Sequence, residues 1–498
     1  MDDSLLAFVT NLDGQVFALR NLPEEVVAVL FAYYSRSRDD LRTNLRKLLE
    51  DKDLAVLAVG EPGRAAGPAF ERAQDRARAF HEKWVVGYGH ASVAEHGVVH
   101  LAVERCSIVA AKAIEEARLA AYTEKSTRYV QFGEDTLVTD IGLPASAGRA
   151  YELSARASLR SYTSLVERTA DALASKHPVP DGTAPKAHAN ALRAHALDLL
   201  RGLLPAGVPT NLGLTVNGRV LEQHLSKLLG SPLSEVRALA GCMRDAGREV
   251  LPTLLKYTEP RAHRSRTNAR VAPHAGRTTL ASGGMSASGV RLIDAPESGR
   301  ALRTLATSVL VDTLQYAWSD AWASCENDVR ALEIVRAYLA DRDKHDAPGR
   351  ALEQVVLRFE VVCDYGAWRD LQRHRLLSAS TPSLGTHEGY WLSDELGEIG
   401  VRDVACAALD AARQPYVELA ASHPWEAQYV VPLAYRVRYV AQANLREVFH
   451  LVELRSARQG HESYRNVAIG IADRTIEALP FVAEFLRVDR NRYAYARH

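Results

Sequence analysis

The sequence predicts an α+β protein built from two tandem copies of one domain, each a short antiparallel sheet packed with long helices. Alternating apolar runs, VVHLAVE at 98–104 and VVLRFEV at 355–361, occur once in each half and are typical of strands with one buried face. Most of the remaining chain has the periodicity of amphipathic helices, for example at 40–52 and 151–176. Together these patterns indicate helix-rich domains that each contain a small sheet.

Four pairs of sequence anchors recur in the same order in both halves and support the duplication. The pairs are Glu95-His96 with Glu353-Gln354, Leu204-Pro205 with Val431-Pro432, Asn217-Gly-Arg219 with Asn444-Leu-Arg446, and Leu251-Pro252 with Leu479-Pro480. We therefore predict copy 1 at 1–258, a linker or mobile loop at 259–289, and copy 2 at 290–498. The linker is rich in Arg, Ser, Gly and Ala and has no sustained apolar period. Both copies are expected to end in a long helix that contains the Leu-Pro pair. The main difference in length is an extra helical stretch in copy 1, near 147–200.

The charge and cysteine content exclude several classes of protein. The chain of 498 residues carries 61 basic and 61 acidic side chains, so no global field attracts it to nucleic acid or to a membrane. None of its five cysteines forms a CxxC pair, which argues against a disulfide framework or a structural zinc site and for a reducing cytoplasm. The N-terminal residues lack the basic start and apolar core of a signal peptide, and no apolar run is long enough to span a bilayer.

Each copy lacks a polar motif that the other retains. Copy 2 contains Arg373-His374-Arg375, whereas copy 1 has Glu116-Ala117-Arg118 at that place. Copy 1 then continues with Glu124-x-Ser126-x-Arg128, whereas copy 2 has the uncharged stretch 379–385. In an extended chain, Glu124, Ser126 and Arg128 would project to one side, an arrangement that suits a phosphorylated sugar. The more commonplace interpretation of Arg373-His374-Arg375 is a solvated cationic face. That of Glu124-x-Ser126-x-Arg128 is a polar strand edge. The alternative is a single binding site to which each copy contributes the motif that it retains.

A His-rich turn, Tyr88-Gly89-His90-Ala91-Ser92-Val93-Ala94-Glu95-His96, precedes the first predicted strand. Its two histidines do not have the HExxH spacing that places two zinc ligands on one helical face, so no metal is expected. Taken alone, such a turn is more often structural, with His96 capping or packing.

Taken together, GYGHASVAEH, YTEKSTRYV, QRHRLLS and NLREVFHLVELR resemble the motifs of the flavin-dependent thymidylate synthases, the ThyX family. Each motif alone is weak, but four in the right order are specific, and they cover both halves. The resemblance implies an α+β pseudo-dimer of ThyX-like domains that uses FAD. It further implies reductive C5 methylation of dUMP, with methylenetetrahydrofolate as carbon donor and NADPH as reductant. Because the family is homotetrameric, it implies a homodimer of this chain.

The resemblance also implies which residues bind the nucleotide. Copy 1 would supply Glu124, Ser126, Arg128 and Arg201, and copy 2 would supply Asp370, Arg373 and Arg455. Copy 2 has Gln428 where copy 1 has Arg201, and copy 1 has Leu228 where copy 2 has Arg455. The losses are complementary, which predicts one competent composite site and one degenerate site.

For the flavin, the resemblance implies contacts from residues of both copies. These are Ser92, Glu95, Arg373, His374, Arg375, Asn444, Arg446 and His450. His90 would lie over the flavin or folate, and it joins Arg373 and Arg455 as a catalytic candidate. Asp370 departs from the family, which has Gln there, and an acid beside a phosphate would repel it. Two alternatives therefore stay open: C5 methylation of UMP, and a non-catalytic paralogue that binds flavin or nucleotide.

Overall fold

The computed structural model describes residues 3–15, 17–34, 39–50, 91–128, 130–271, 289–380 and 383–493. Within that part the chain forms two compact units. Unit 1 comprises Met1–Cys106, Ala113–Glu124 and Thr210–Gly276, and unit 2 comprises Ser107–Lys112, Lys125–Pro209 and Arg277–His498. Unit 2 therefore contains a long stretch of copy 1 together with all the described residues of copy 2. Copy 1 is therefore divided between the units, whereas copy 2 lies within unit 2. The predicted boundaries of the copies at 258 and 290 stay a prediction.

Helices make up most of the described chain. The α-helices are α1 (Glu24–Tyr34), α2 (Leu41–Glu50), α3 (Ile108–Ile114), α4 (Ala145–Lys176), α5 (Pro185–Leu200), α6 (Gly218–Leu228), α7 (Ser234–Val250), α8 (Ala262–Val271), α9 (Ser298–Leu314), α10 (Trp318–Ser324), α11 (Asp328–Leu339), α12 (Tyr365–Leu371), α13 (Glu395–Glu398), α14 (Arg402–Ser422), α15 (Leu445–Arg455) and α16 (Glu462–Ala478). Short 3-10 helices span Asp3–Ala7, Ala91–Glu95, Arg201–Leu203, Arg350–Gln354, Glu426–Val430 and Pro480–Glu484. None of the described helices is both long enough and apolar enough to cross a bilayer.

Within the described residues, each unit contains one small sheet. The strands are β1 (Val98–Ser107), β2 (Ala120–Glu124), β3 (Pro209–Asn217), β4 (Gly289–Asp294), β5 (Val356–Asp364), β6 (Ser378–Ala379) and β7 (Arg436–Asn444). The three-stranded sheet of unit 1 has the order β1-β3-β2, and β2 runs antiparallel to β3. The sheet of unit 2 has the order β4-β5-β7-β6, with antiparallel neighbours throughout. The α+β class and the strands at both alternating runs are thus confirmed.

The duplicated anchors make the same local contacts in both units. Asn217 Oδ1 accepts the backbone N–H of Val220, and Asn444 Oδ1 accepts that of Glu447, each at 2.9 Å. Each asparagine therefore caps a helix, α6 or α15, with the same geometry. Two ion pairs also correspond, Arg219 with Glu95 and Arg446 with Glu353.

Within unit 2, the Leu-Pro and Val-Pro anchors pair with each other symmetrically. The Ala206 N–H donates to the Val431 carbonyl at 2.9 Å, and its counterpart Leu433 N–H donates to the Leu204 carbonyl at 2.9 Å. One residue farther out, the Gly207 N–H donates to the Tyr429 carbonyl, and the Ala434 N–H donates to the Gly202 carbonyl, both at 2.8 Å. Exchanging the two copies reproduces this set of bonds, as in a self-complementary dimer contact.

Three details differ from the sequence-based expectations. Part of the predicted linker is helical, because α8 lies within it, while 272–288 fall outside the described residues. The Glu124-x-Ser126-x-Arg128 segment is not extended beyond Glu124. Ser126 Oγ accepts the backbone N–H of Arg128 at 3.3 Å and closes a turn there. Each Leu-Pro pair ends its helix rather than lying inside it, because a residue before proline is disfavoured in the α conformation.

Candidate functional site

Two buried arginines of copy 1 meet in unit 2. Arg128 lies in the turn after β2, and Arg201 begins the 3-10 helix that follows α5. Asp198, in the last turn of α5, joins them: its Oδ1 lies 2.8 Å from Arg128 Nε and 3.9 Å from Arg201 Nε. The two arginine side chains are only 10% and 6% exposed.

Both guanidinium groups have a buried terminal nitrogen that makes no hydrogen bond to the described residues. The Nη2 atoms of Arg128 and Arg201 are buried and have no hydrogen-bond partner in the described chain. A buried donor without an acceptor costs about 1–3 kcal/mol, and more when the group is charged. An oxyanion with several acceptor oxygens would satisfy both nitrogens.

Copy 2 brings an acid and two more arginines to the same place. Asp370 Oδ2, in α12, lies 3.6 Å from Arg201 Nη1. Arg455, the last residue of α15, donates from Nη2 to the Asp370 carbonyl at 2.8 Å. Burial raises the pKa of Asp370, but Arg201, Arg128, Arg373 and Arg455 together lower it below its usual value. We call Arg128, Arg201, Arg373 and Arg455 the four-arginine cluster.

The electrostatics of this cluster favour an additional anion. Burial lowers the pKa of Arg201, and the nearby Arg128 cation lowers it further. Burial also lowers the pKa of Arg128, but Asp198, Tyr464 and Asp370 raise it above the usual value. Arg128 and Arg201 are buried, Arg455 is half-buried and Arg373 is exposed, and all four act on Asp370. These four cations outnumber the three nearby carboxylates, Asp198, Asp364 and Asp370.

Residues that the sequence did not single out complete the surroundings. The Tyr464 ring lies 5.5 Å from the guanidinium carbons of both Arg128 and Arg455, within the range of cation–π attraction. The His461 Nδ1 accepts the Ser463 N–H at 3.2 Å at the start of α16. Burial and the Arg201 cation lower the His461 pKa to about 3, so this ring is neutral. Only the spacing of Asp198, three residues before Arg201 on a helix, was a usable signal in the sequence.

The residues of the Arg373-His374-Arg375 motif differ in exposure. Arg373 and Arg375 are exposed, whereas His374 is buried. His374 Nδ1 lies 2.8 Å from Glu447 Oε1, and its Nε2 lies 2.9 Å from Arg455 Nε. His450 is exposed, and its Nδ1 lies 3.5 Å from Glu447 Oε2.

Within the described residues, potential ligand atoms of His374, Glu447 and His450 lie within 4.8 Å of one another. Both ring nitrogens of His374 are already engaged in hydrogen bonds, and the Arg455 cation next to the ring disfavours a second cation. We therefore interpret these three side chains as a hydrogen-bonded group.

The remaining predicted cofactor residues have contacts that serve the fold. Asn444 caps α15, and Arg446 donates to the Pro348 carbonyl at 2.9 Å and to Glu353 at 3.0 Å. In unit 1, Glu95 pairs with Arg219, and Ser92 is exposed. Their predicted roles at a flavin stay predictions.

The predicted nucleotide residues are divided between the units. Ser126, Arg128, Arg201, Asp370, Arg373 and Arg455 belong to unit 2, and Glu124, the last residue of β2, belongs to unit 1. His90 falls outside the described residues. Elsewhere in unit 1, His96 packs on Phe31, with ring centroids 4.7 Å apart.

Comparison with known proteins gives consistent results over most of the chain. The sequence model of the family described as "Thymidylate synthase complementing protein" (Thy1) matches residues 40–253 and 293–481. A UPF0159 protein of Chlamydia pneumoniae is 33% identical over 96% of this chain and 92% of its own length. A UPF0159 protein of Thermoplasma acidophilum is 27% identical over 86% of this chain and 92% of its own length. A flavin-dependent thymidylate synthase of Saccharolobus solfataricus is 31% identical over 36% of this chain and 62% of its own length. The chain therefore belongs to the Thymidylate synthase complementing protein family.

Proposed function

We propose that this protein is a flavin-dependent thymidylate synthase-like enzyme that methylates C5 of dUMP reductively. The name of the Saccharolobus solfataricus relative supports the reaction type. The observation that carries the proposal is the four-arginine cluster, in which Arg128 and Arg201 of copy 1 gather with Arg455 of copy 2 around Asp370. Buried cationic groups with unsatisfied donors suit the phosphate of a nucleotide.

The phosphate would lie against the unsatisfied Nη2 atoms of Arg128 and Arg201, with Arg373 and Arg455 completing its neutralisation. Ser126 would donate its hydroxyl to the same group. Asp370 does not oppose this arrangement, because four guanidinium groups lower its pKa and compensate its charge. Asp370 orders the arginines before the anion binds.

We further propose that the two copies form a pseudo-dimer with one composite nucleotide site. The symmetric hydrogen bonds between Ala206 and Val431 and between Leu433 and Leu204 support the pseudo-dimer. The complementary origin of the cluster supports the single site, since Leu228 and Gln428 replace arginine at the other two positions.

The residues beside the cluster offer partial support for a flavin. Arg373, Arg375 and His450 are exposed, and their cationic or imidazole groups suit the diphosphate and ring system of FAD. When bound, the flavin would supply the redox and carbon-transfer chemistry that none of these side chains can provide. The chain's own task is then to hold dUMP in register with it, through the arginines that fix the phosphate. Methylenetetrahydrofolate and NADPH are the proposed co-substrates.

Absorbance and a single-turnover reaction test this proposal. The purified protein, reconstituted with FAD, is expected to show a flavin spectrum and to convert dUMP to dTMP when methylenetetrahydrofolate and NADPH are added. UMP in place of dUMP serves as the matched substrate control. If only the C5-methyl product of UMP forms, the substrate is UMP and not dUMP. A protein that cannot be loaded with flavin would contradict the proposed function. A flavin-loaded protein that binds nucleotide without turnover would indicate a non-catalytic paralogue.

A further inference from the structure

A buried hydrogen-bond chain runs behind the four-arginine cluster. Glu447 and His374 are 1% and 3% exposed. The chain of contacts runs from Glu447 Oε1 to His374 Nδ1 (2.8 Å), from His374 Nε2 to Arg455 Nε (2.9 Å), and from Arg455 Nη2 to the Asp370 carbonyl (2.8 Å). Arg455 is therefore fixed at two of its nitrogens.

These contacts determine the protonation of the imidazole. The Nε of Arg455 is always a donor, so the Nε2 of His374 must accept with its lone pair. The ring proton then lies on Nδ1 and donates to Glu447. A second ring proton would leave Arg455 facing a cation.

The charge states agree with this tautomer. Burial lowers the pKa of His374, which favours the neutral ring. Burial raises the pKa of Glu447, but hydrogen bonds from His374 and His450 lower it to about 2, so the carboxylate is ionised.

Copy 1 shows that the fold of this helix does not require the buried acid. Val220 occupies the position in α6 that Glu447 occupies in α15, since the two backbone N–H groups are capped by Asn217 and Asn444 in the same way. The copy that lacks this glutamate also has Ala117 in place of His374 and Leu228 in place of Arg455. Copy 1 therefore lacks all three side chains of this hydrogen-bond chain.

We infer that Glu447 is a positioning residue for the nucleotide site: its carboxylate fixes the Nδ1–H tautomer of His374, which in turn holds Arg455 against the bound phosphate. The role in nucleotide binding rests on the proposed function. The hydrogen-bond chain itself does not depend on it.

A double-mutant cycle separates positioning from a general structural role. Glu447→Gln is expected to lower the affinity for dUMP about tenfold, measured by isothermal titration calorimetry on the full chain, because Arg455 loses its fixed orientation. In an Arg455→Gln background, the same change is expected to alter the affinity less than about twofold, since there is no arginine left to position. Glu453→Gln is the matched control on α15, because Glu453 pairs with Arg342 at 2.6 Å instead. Independent, additive losses from Glu447→Gln and Arg455→Gln would overturn the inference.

Nuclear magnetic resonance of ring-15N-labelled histidines tests the tautomer without any ligand. The His374 signals, assigned by their loss in His374→Gln, are expected to show a protonated Nδ1 and an unprotonated Nε2, and to shift in Glu447→Gln. A wild-type ring that carries its proton on Nε2, or on both nitrogens at neutral pH, would overturn the inference even if dUMP binds. If the tautomer is as expected but the wild-type protein binds no dUMP, the proposed function fails while the hydrogen-bond chain stands.

Discussion

Replacing either Arg128 or Arg373 with glutamine is expected to lower the affinity for dUMP at least about tenfold, although the two arginines come from different copies. A hydrogen bond to a charged group contributes roughly 1.5–3 kcal/mol, which corresponds to about a 10- to 150-fold change in affinity. For Arg128 the loss includes a buried Nη2 that has no partner within the described chain. For Arg373 it is the loss of a cation that acts on Asp370. Equilibrium dialysis with labelled dUMP measures the affinity of each variant.

Each variant has a control from its own copy in unit 2. Arg160 pairs only loosely with Glu134, at 3.8 Å and half exposed, and Arg358 donates to Gln442 on the exposed face of the sheet. Arg160→Gln and Arg358→Gln are expected to leave dUMP affinity unchanged. The composite site is wrong if a folded Arg128→Gln or Arg373→Gln protein binds dUMP as tightly as the wild type.

Gly207→Ala is expected to be the most destabilising single methyl addition at the symmetric pairing of the two copies. A Cβ at this position would overlap the Tyr151 hydroxyl and lie 3.0 Å from the Tyr429 carbonyl, which accepts the Gly207 N–H. Tyr151 cannot withdraw easily, since its hydroxyl donates to the Val138 carbonyl at 2.7 Å and the ring is fully buried. Overpacking of this kind costs about 1–3 kcal/mol. Differential scanning calorimetry should show a lower unfolding temperature.

Gly148→Ala is the matched control, because a Cβ on Gly148 would meet nothing within 4 Å. Gly148 lies inside α4, where alanine is favoured over glycine by up to about 1 kcal/mol, so its unfolding temperature should stay unchanged or rise. Adding Tyr151→Phe to Gly207→Ala removes the overlapping oxygen and should restore part of the loss. Equal unfolding temperatures for the Gly207→Ala and Gly148→Ala proteins would show that the close approach does not constrain this pairing.

Apolar alternation in the sequence was sufficient to predict one strand in each half, and the resemblance to a known family supplied the grouping of the arginines. Strands at 98–107 and 356–364 followed from apolar alternation, which reflects burial of one face of a sheet. The expectation that Arg128 and Arg201 meet Arg455 came from the resemblance to the ThyX family, whose nucleotide site draws on different subunits. The complementary losses in the two copies agreed with it.

Other features of the site depend on tertiary contacts that sequence patterns do not encode. Glu447 stands three residues after the capping Asn444, where a glutamate ordinarily serves the helix end, yet its carboxylate bonds to His374. Arg446 and Glu95 belong to family-like motifs, but both are held in ion pairs that a motif cannot distinguish from ligand contacts. The turn at Ser126 depends on which acceptor the Arg128 N–H finds.

The stoichiometry of nucleotide binding tests the central claim, one composite site per chain, most directly. Titration of the flavin-loaded full-length protein with dUMP, followed by calorimetry, is predicted to give one nucleotide per chain, and none in Arg128→Gln or Arg373→Gln at the same concentrations. Two nucleotides per chain, or one that persists in either variant with wild-type affinity, would contradict it.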